Sequence, residues 1–281
     1  VTAPLTPIHE NIEQIELNLF LEAIYQRYGY DFRSYAQASV RRRVRHLMSK
    51  LGYQNIGEMI PLLLRDEEFA RRVVFEFSIS VTEMFRDPDF YLAVREKVVP
   101  YLKTYPFIKV WHAGCATGEE VYSSSIMLRE ENLYERATIF ATDFNDEVLE
   151  KAREGVYALK DMRQYTENYQ RAGGKAEFCN YYHAQYDLAI MEQDLKRNVT
   201  FANHNLVTDS VFGEMHLVYC RNVLIYFERP LQNRVLNLFA SSLTLGGFLC
   251  LGNKETIEFS DVAHIFKVVD EKQKIYQKRA R

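Results

Sequence analysis

The chain has 281 residues, enough for roughly two domains that each bury a core. Its 47% hydrophobic and 26% charged residues are those of an ordinary globular protein, and a formal net charge of −3 argues against an extended nucleic-acid footprint. Cys115, Cys179, Cys220 and Cys250 stand singly, the seven histidines form no tight ligand cluster, and no targeting sequence or long apolar span is visible, so a cytoplasmic protein with reduced thiols and no metal is expected.

Residues 1 to about 105 read as helices. Ile12, Ile15, Leu19 and Ala23 recur at helical spacing, and Gly29 stands where a C-terminal cap belongs. A second helix, 34–51, stops before Gly52, and 56–65, 67–77 and 89–101 are three more. The second carries Arg41, Arg42, Arg43, Arg45, His46 and Lys50, with Arg41 and Arg45 on one face. Two readings of it stay open: solvated charge offset by neighbouring glutamates, or a docking surface for an acidic partner. Residues 78–88, with their hydroxyls and Arg86, read as an irregular connection between helices.

An apolar run at 107–111 then turns through Gly114-Cys115-Ala116-Thr117-Gly118 into an amphipathic segment, as a strand, tight loop and helix would. The next apolar run, 137–142, ends in Asp143, 25 residues past Gly118 and near the spacing at which a strand-end carboxylate meets a ribose diol. Charge selects the nucleoside. A helix N-terminus favours phosphate, but Glu119 and Glu120 sit on this one and repel it. The loop also lacks the third glycine of a dinucleotide fingerprint and the Gly-Lys-Ser/Thr of a P-loop. S-adenosylmethionine, with no phosphate, a cationic tail and a ribose diol, fits better.

Strands and helices alternate from there on. A helix at 145–153 and strands at 199–202 and 217–220 are followed by a helix from Pro230, a strand after Gly246-Gly247 and a closing hairpin of 266–269 with 274–276. The strand-end rule places Gly114, Asp143, Asn205, Arg221 and Asn222 along one crevice. Residues 156–198 interrupt the alternation with six tyrosines and candidate strands at 178–182 and 186–190, a small antiparallel subdomain. Its aromatics are either local core or an edge that captures an extended peptide.

Taken together, Thr82-Glu83-Met84-Phe85-Arg86, Ala116-Thr117-Gly118-Glu119-Glu120-Val121-Tyr122-Ser123, Ala141-Thr142-Asp143, Asn205-Leu206 and the run from Cys220 to Phe227 resemble the CheR-type chemotaxis receptor methyltransferases. The resemblance implies a class I Rossmann-like α/β methyltransferase with an N-terminal all-helical domain, expected over 1–92. The catalytic domain is expected over 93–281, with the inserted β-subdomain at about 156–198. It implies a bacterial cytoplasmic enzyme that moves the methyl of S-adenosylmethionine onto glutamates of the chemoreceptors' cytoplasmic helical domain, leaving S-adenosylhomocysteine. Carried over by motif, Ser80, Thr82, Arg86 and one of Glu119 and Glu120 touch the methionine end of the cofactor. Asp143 takes the ribose, and Asn205, Leu206, Arg221 and Asn222 close around adenosine and methyl, beside Gly114. Arg41, Arg42 and Arg45 resemble the family's receptor-docking surface, and in some members the β-subdomain holds a peptide from the receptor C-terminus. Three places depart: Ser80 stands where the family often has Asn, Asn253-Lys254-Glu255 where a Ser-Glu pair commonly follows the late glycine strand, and Arg171-Ala172-Gly173-Gly174-Lys175 where peptide-tethered members have a glycine-richer loop.

The chemistry asks little of an acid or base, because a glutamate acceptor is already ionised at neutral pH. Tyr226 is the candidate for orienting that carboxylate, with an aromatic wall as its alternative role, and Arg86 is the second catalytic candidate. Rival readings are a nucleic-acid or small-molecule methyltransferase, an O-methyltransferase for another acidic signalling protein, and a cofactor-binding module without catalysis. Against the first, Arg221-Asn222-Val223-Leu224 stands where amino-methylating DNA enzymes carry an Asp-Pro-Pro-Tyr type sequence.

Overall fold

The computed structural model describes residues 11–78 and 82–279. The chain divides into two compact units, Val1–Ser78 with Tyr226–Glu228, and Ile79–Ile225 with Arg229–Arg281.

The first unit holds α1 (Ile12–Tyr28), α2 (Gln37–Leu51), α3 (Ile60–Arg65) and α4 (Glu67–Phe77). Local chemistry sets their ends. Asn11 accepts the Gln14 N–H at the start of α1, Gly29 closes it at φ 80°, and Asp66 accepts the N–H groups of Glu68 and Phe69 at the start of α4. The apolar recurrence that announces α1 is not the face it buries. Leu17, Phe20, Leu21 and Ile24 are buried, whereas Ile12, Ile15 and Leu19 are 69%, 43% and 55% exposed. Both faces have helical spacing, and the one carrying the aromatic ring takes the core. α2 begins at Gln37 rather than 34 because Ser34 lies in a turn and Ala36, at ψ 113°, is not helical. Tyr35 bridges Phe227 antiparallel, Ala36 N–H donates to the Tyr226 carbonyl at 2.8 Å and the Ser34 carbonyl accepts from Glu228 at 3.0 Å.

The second unit opens with α5 (Pro88–Lys97) and α6 (Val99–Leu102). The single helix expected at 89–101 breaks at Val98 because Pro100 lacks an N–H and crowds the preceding turn. The boundary drawn at 92 falls inside α5, whose Phe90, Tyr91 and Val94 belong to this unit's core. Then come β1 (Ile108–Ala113), α7 (Glu119–Glu130), β2 (Ala137–Asp143), α8 (Asp146–Glu154), β3 (Val156–Ala158) and α9 (Met162–Arg171). They are followed by β4 (Tyr182–Gln185), β5 (Leu188–Met191), β6 (Val199–Asn203), β7 (Met215–Cys220), α10 (Arg229–Ser242), β8 (Leu243–Leu251), β9 (Phe266–Asp270) and β10 (Ile275–Lys278).

Seven strands form one sheet in the order β6-β2-β1-β7-β8-β10-β9. Val110 of β1 lies opposite Ile139 of β2 and Leu217 of β7, all parallel, and β10 runs antiparallel between β8 and β9. The chain leaves β1 in one direction along the sheet and returns on its other side at β7. The carboxyl ends of these two strands therefore flank the switch point where ligands lodge in such folds. β8 starts at Leu243 and runs through Gly246-Gly247, which were expected to precede it.

The insertion forms a separate sheet, β3-β5-β4. Its strands lie later than expected: 178–181 is a 3-10 turn, and Tyr186, at φ 54°, occupies the hairpin turn instead of opening a strand. Phe178, Tyr169 and Tyr181 pack on one another as part of the unit's core, while Tyr186 is 91% exposed.

Candidate active site

Beyond β1 the chain folds back on the end of β2. The N–H groups of Gly114 and Cys115 both donate to the Thr142 carbonyl, at 2.8 and 2.9 Å. Gly114 has φ 76°, and a methyl carbon built on it would stand 2.7 Å from Cγ2 of Val223. Only glycine lets the loop after β7 approach so closely. Asp143, at the end of β2, accepts the Ala116 N–H at 3.0 Å and the Asn145 N–H at 3.1 Å. Burial lifts its carboxyl to about 6 against the pull of those backbone donors.

The two glutamates at the start of α7 have opposite surroundings. Glu120 bonds His112 Nδ1 at 2.9 Å and Arg221 Nη1 at 3.3 Å. Burial alone would raise its pKa, but the His112 bond and the Arg221 charge hold it below the ordinary carboxylate value. Glu119 is 6% exposed, and the Thr117 hydroxyl donates to its carboxylate at 2.7 and 3.0 Å from the two oxygens. No salt bridge to Glu119 exists among the described residues, and burial pushes its carboxyl up to about 7.

Arg221, wholly interior, ties the segment before α5 to this end of the sheet. Its guanidinium bonds Asp87 Oδ2 at 2.7 Å, reaches the Arg86 carbonyl at 3.4 Å and lies 4.0 Å above the Phe90 ring. That segment is also bonded through Phe85 N–H to Ser123 Oγ at 2.8 Å and through the Met84 carbonyl to Asn168 at 3.1 Å. Thr82 and Arg86 are half-buried on it, and Ser80 lies outside the described residues.

At the neighbouring strand end, His204 N–H donates to the Asp143 carbonyl at 3.1 Å, which brings Asn205 and the buried Leu206 beside β2. Asn205 closes its own turn, its Oδ1 accepting the Val207 N–H at 3.0 Å. Asn222 follows Arg221 at φ 62°. Asparagine is one of the few side chains other than glycine that visits this left-handed region. Glu255, the acid at the end of the Asn253-Lys254-Glu255 run, fixes the N–H of this residue and of its neighbours. Its carboxylate accepts the N–H groups of Gly252 (2.6 Å), Asn222 (3.0 Å), Val223 (2.9 Å) and Ile225 (3.3 Å). Burial raises its carboxyl pKa against the pull of these backbone donors. The signal was a lone acid just past a strand ending in glycine.

Gly114, Glu119, Glu120, Asp143, Arg221 and Asn222 thus gather at the ends of β1, β2 and β7, with Asn205 and Leu206 at the end of β6. Tyr226 belongs to the helical unit, where the Arg43 guanidinium lies 5.4 Å from its ring centre. On α2, Arg41 bonds Gln14, Arg45 grips Glu13 with two bonds of 2.7 Å, and Arg42 is exposed. No helix among the described residues is long and apolar enough to cross a membrane, and no group of three or more His, Cys, Asp or Glu among them is placed to hold a metal ion.

An anionic ligand does not suit a helix N-terminus that buries a carboxylate without a cation. A ligand with a cationic tail and no phosphate does, and S-adenosylmethionine fits these residues. Residues 80–275 match the SAM binding domain of CheR methyltransferase, and residues 15–77 match its all-alpha domain. A Pseudomonas putida protein provisionally named methyltransferase Cher3 is 49% identical over 269 residues, 96% of this chain and 98% of its own length. Chemotaxis protein methyltransferases of Klebsiella aerogenes and Listeria innocua are 31% and 28% identical, covering 87% and 85% of this chain and 83% and 88% of theirs. The chain belongs to the CheR methyltransferase family and is an S-adenosylmethionine-dependent methyltransferase.

Proposed function

We propose that the protein methylates glutamate side chains in the cytoplasmic helical domain of chemoreceptors, forming glutamate methyl esters, and that it works in the cytoplasm where those domains lie. The observation that carries this reading is the union, in one chain, of an S-adenosylmethionine-binding domain with an all-helical domain whose α2 has six basic side chains and no acidic one. Relatives named for chemotaxis methylation point the same way. The Arg45–Glu13 pair does not oppose docking. Both partners are exposed and screened by solvent, so an incoming carboxylate can replace Glu13. Among the described residues the outer strand β4 pairs with β5 alone, which leaves an edge for a receptor C-terminal peptide.

When bound, S-adenosylmethionine supplies an electrophilic methyl group on a sulfonium. A glutamate acceptor, with a reference pKa of about 4.3, arrives ionised and needs no base. The site offers little help to a neutral acceptor, since His112 is wholly buried behind Glu120. In this reading Glu119, and not Glu120, holds the ammonium end of the cofactor, because Glu120 is already committed to His112 and Arg221. Asp143 takes the ribose, Asn205, Leu206 and Asn222 line the adenosine, and Thr82, Ser80 and Arg86 close over the methionine end. Arg221 contributes by fixing Arg86 and Asp87, and Tyr226 orients the acceptor carboxylate. Holding the reacting groups in place accounts for about 7–11 kcal/mol of the barrier.

The test is incubation with methyl-labelled S-adenosylmethionine and chemoreceptor-containing membranes, followed by mild base and collection of volatile methanol. Base-released label that disappears in Arg86→Ala is expected. Label that resists base, or none while calorimetry registers bound cofactor, would sink the glutamate assignment.

A further inference from the structure

Four backbone N–H groups converge on one buried carboxylate at the far side of the candidate site. Glu255 is 4% exposed and has no salt bridge among the described residues, yet it is not an idle acid. Its Oε2 takes the N–H groups of Gly252 and Asn222, and its Oε1 those of Val223 and Ile225. The loop it gathers is squeezed from both sides. A methyl carbon on Gly252 would lie 2.8 Å from the Asn222 nitrogen and 2.9 Å from its Nδ2, and one on Gly114 would lie 2.7 Å from Val223. Asn222 and Val223 therefore occupy a slot cut by two glycines and closed by a carboxylate from 33 residues away. Asn222 sits at φ 62°, a left-handed conformation that asparagine adopts more readily than most side chains, and its N–H is fixed there by the Glu255 carboxylate.

We propose that Glu255 is a positioning residue for methyl transfer: its carboxylate seats Asn222 and Val223 against Gly114, and so shapes the wall of the cofactor site. The proposal rests on the cofactor lodging at this end of the sheet. It does not depend on which acceptor receives the methyl group. A carboxylate is needed, because an amide presents one acceptor oxygen and one donor, and the donor opposes the N–H groups that a second oxygen receives. Glu255→Gln is thus nearly the same size but removes half of the seat.

The test compares wild type, Glu255→Gln, Glu255→Asp and the exposed control Glu258→Gln by calorimetric cofactor affinity, by turnover in the methanol-release assay, and by thermal midpoint. All measurements of binding and turnover are made well below each midpoint, so that a loss of stability alone leaves affinity unchanged. Glu255→Gln is expected to weaken cofactor binding about tenfold or more and to lower turnover by up to about a hundredfold. Glu255→Asp, which keeps both oxygens on a shorter stem, should recover part of the affinity, and Glu258→Gln should match wild type. If Glu255→Gln does not fold, the Asp variant decides, with weakened binding supporting the role. Cofactor affinity within twofold of wild type in the folded variant overturns it, even where the midpoint falls. Should wild type bind cofactor but release no methanol, the receptor-glutamate reading fails while the binding comparison still judges Glu255.

Discussion

The loops after β1 and β7 face each other across the switch point of the sheet, and they are held by different means. The β1 loop is specified by its own residues: Gly114 and Gly118 turn it, and the end of β2, the next strand, receives its N–H groups. The β7 loop contains no glycine and is held by Glu255, which comes after a further helix and strand. A loop fixed from within survives changes elsewhere. One fixed from outside can be disturbed by a substitution that touches no ligand.

The largest effect is expected where the β7 side meets the segment before α5. Arg221→Met leaves Asp87 and Glu120 without their shared cation, and breaking a buried ion pair from one side costs about 3–5 kcal/mol. Chemical denaturation should register that loss, and a change under 1 kcal/mol would mean that the two acids find other partners. Gly114→Ala attacks the contact between the loops directly. The strained backbone alone costs about 1–3 kcal/mol, and the new methyl must also displace Val223, so cofactor affinity should fall together with stability.

The two α7 glutamates sharpen the comparison through pH. In the cofactor-free protein Glu119 is lifted by burial from 4.5 to about 7, so the folded state holds its proton more tightly than the unfolded chain. Its ionisation costs the fold nothing below about 4.5, and the full penalty is present above about 7, so this group lowers stability as pH rises through that window. Cofactor binding runs the other way. It needs the ionised carboxylate, so affinity should climb from about pH 6 to 8, with Asp143, at about 6, adding to the lower end. In Glu119→Gln the upper part of that climb should vanish, whereas Glu120→Gln should retain it. A profile unchanged in Glu119→Gln would remove Glu119 from the cofactor site.

Smaller effects are expected in the helical unit. Tyr226→Phe should lower turnover while cofactor affinity stays at the wild-type value, and wild-type turnover would remove its hydroxyl from the mechanism. Arg45→Ala should leave stability nearly unchanged while raising KM for receptor membranes. An unchanged KM would argue that α2 carries only solvated charge.

The difference between the two loops also explains what the sequence disclosed. Motifs confined to a few consecutive residues were readable: the glycine turn into α7, Asp143 at a strand end, and the helix stops at Gly29 and Gly52. Contacts that depend on a distant partner were not. Nothing in Glu119-Glu120 says which side chain meets Arg221, because one residue along a helix turns the side chain by about 100° and the answer lies in β7. The same ambiguity hid the buried face of α1, where two apolar stripes share one spacing. Tyr226 reads as a continuation of a cofactor motif, yet its backbone pairs with residues 34–36, nearly two hundred positions earlier. Domain membership of so short a segment leaves no local mark.

The most direct measurement is a crystal structure with S-adenosylhomocysteine bound. The account expects the ligand's amino group within hydrogen-bond distance of Glu119, its ribose beside Asp143, and Glu120 still bonded to His112 and Arg221. An amino group held by Glu120, or a ligand bound away from the ends of β1 and β7, would contradict it.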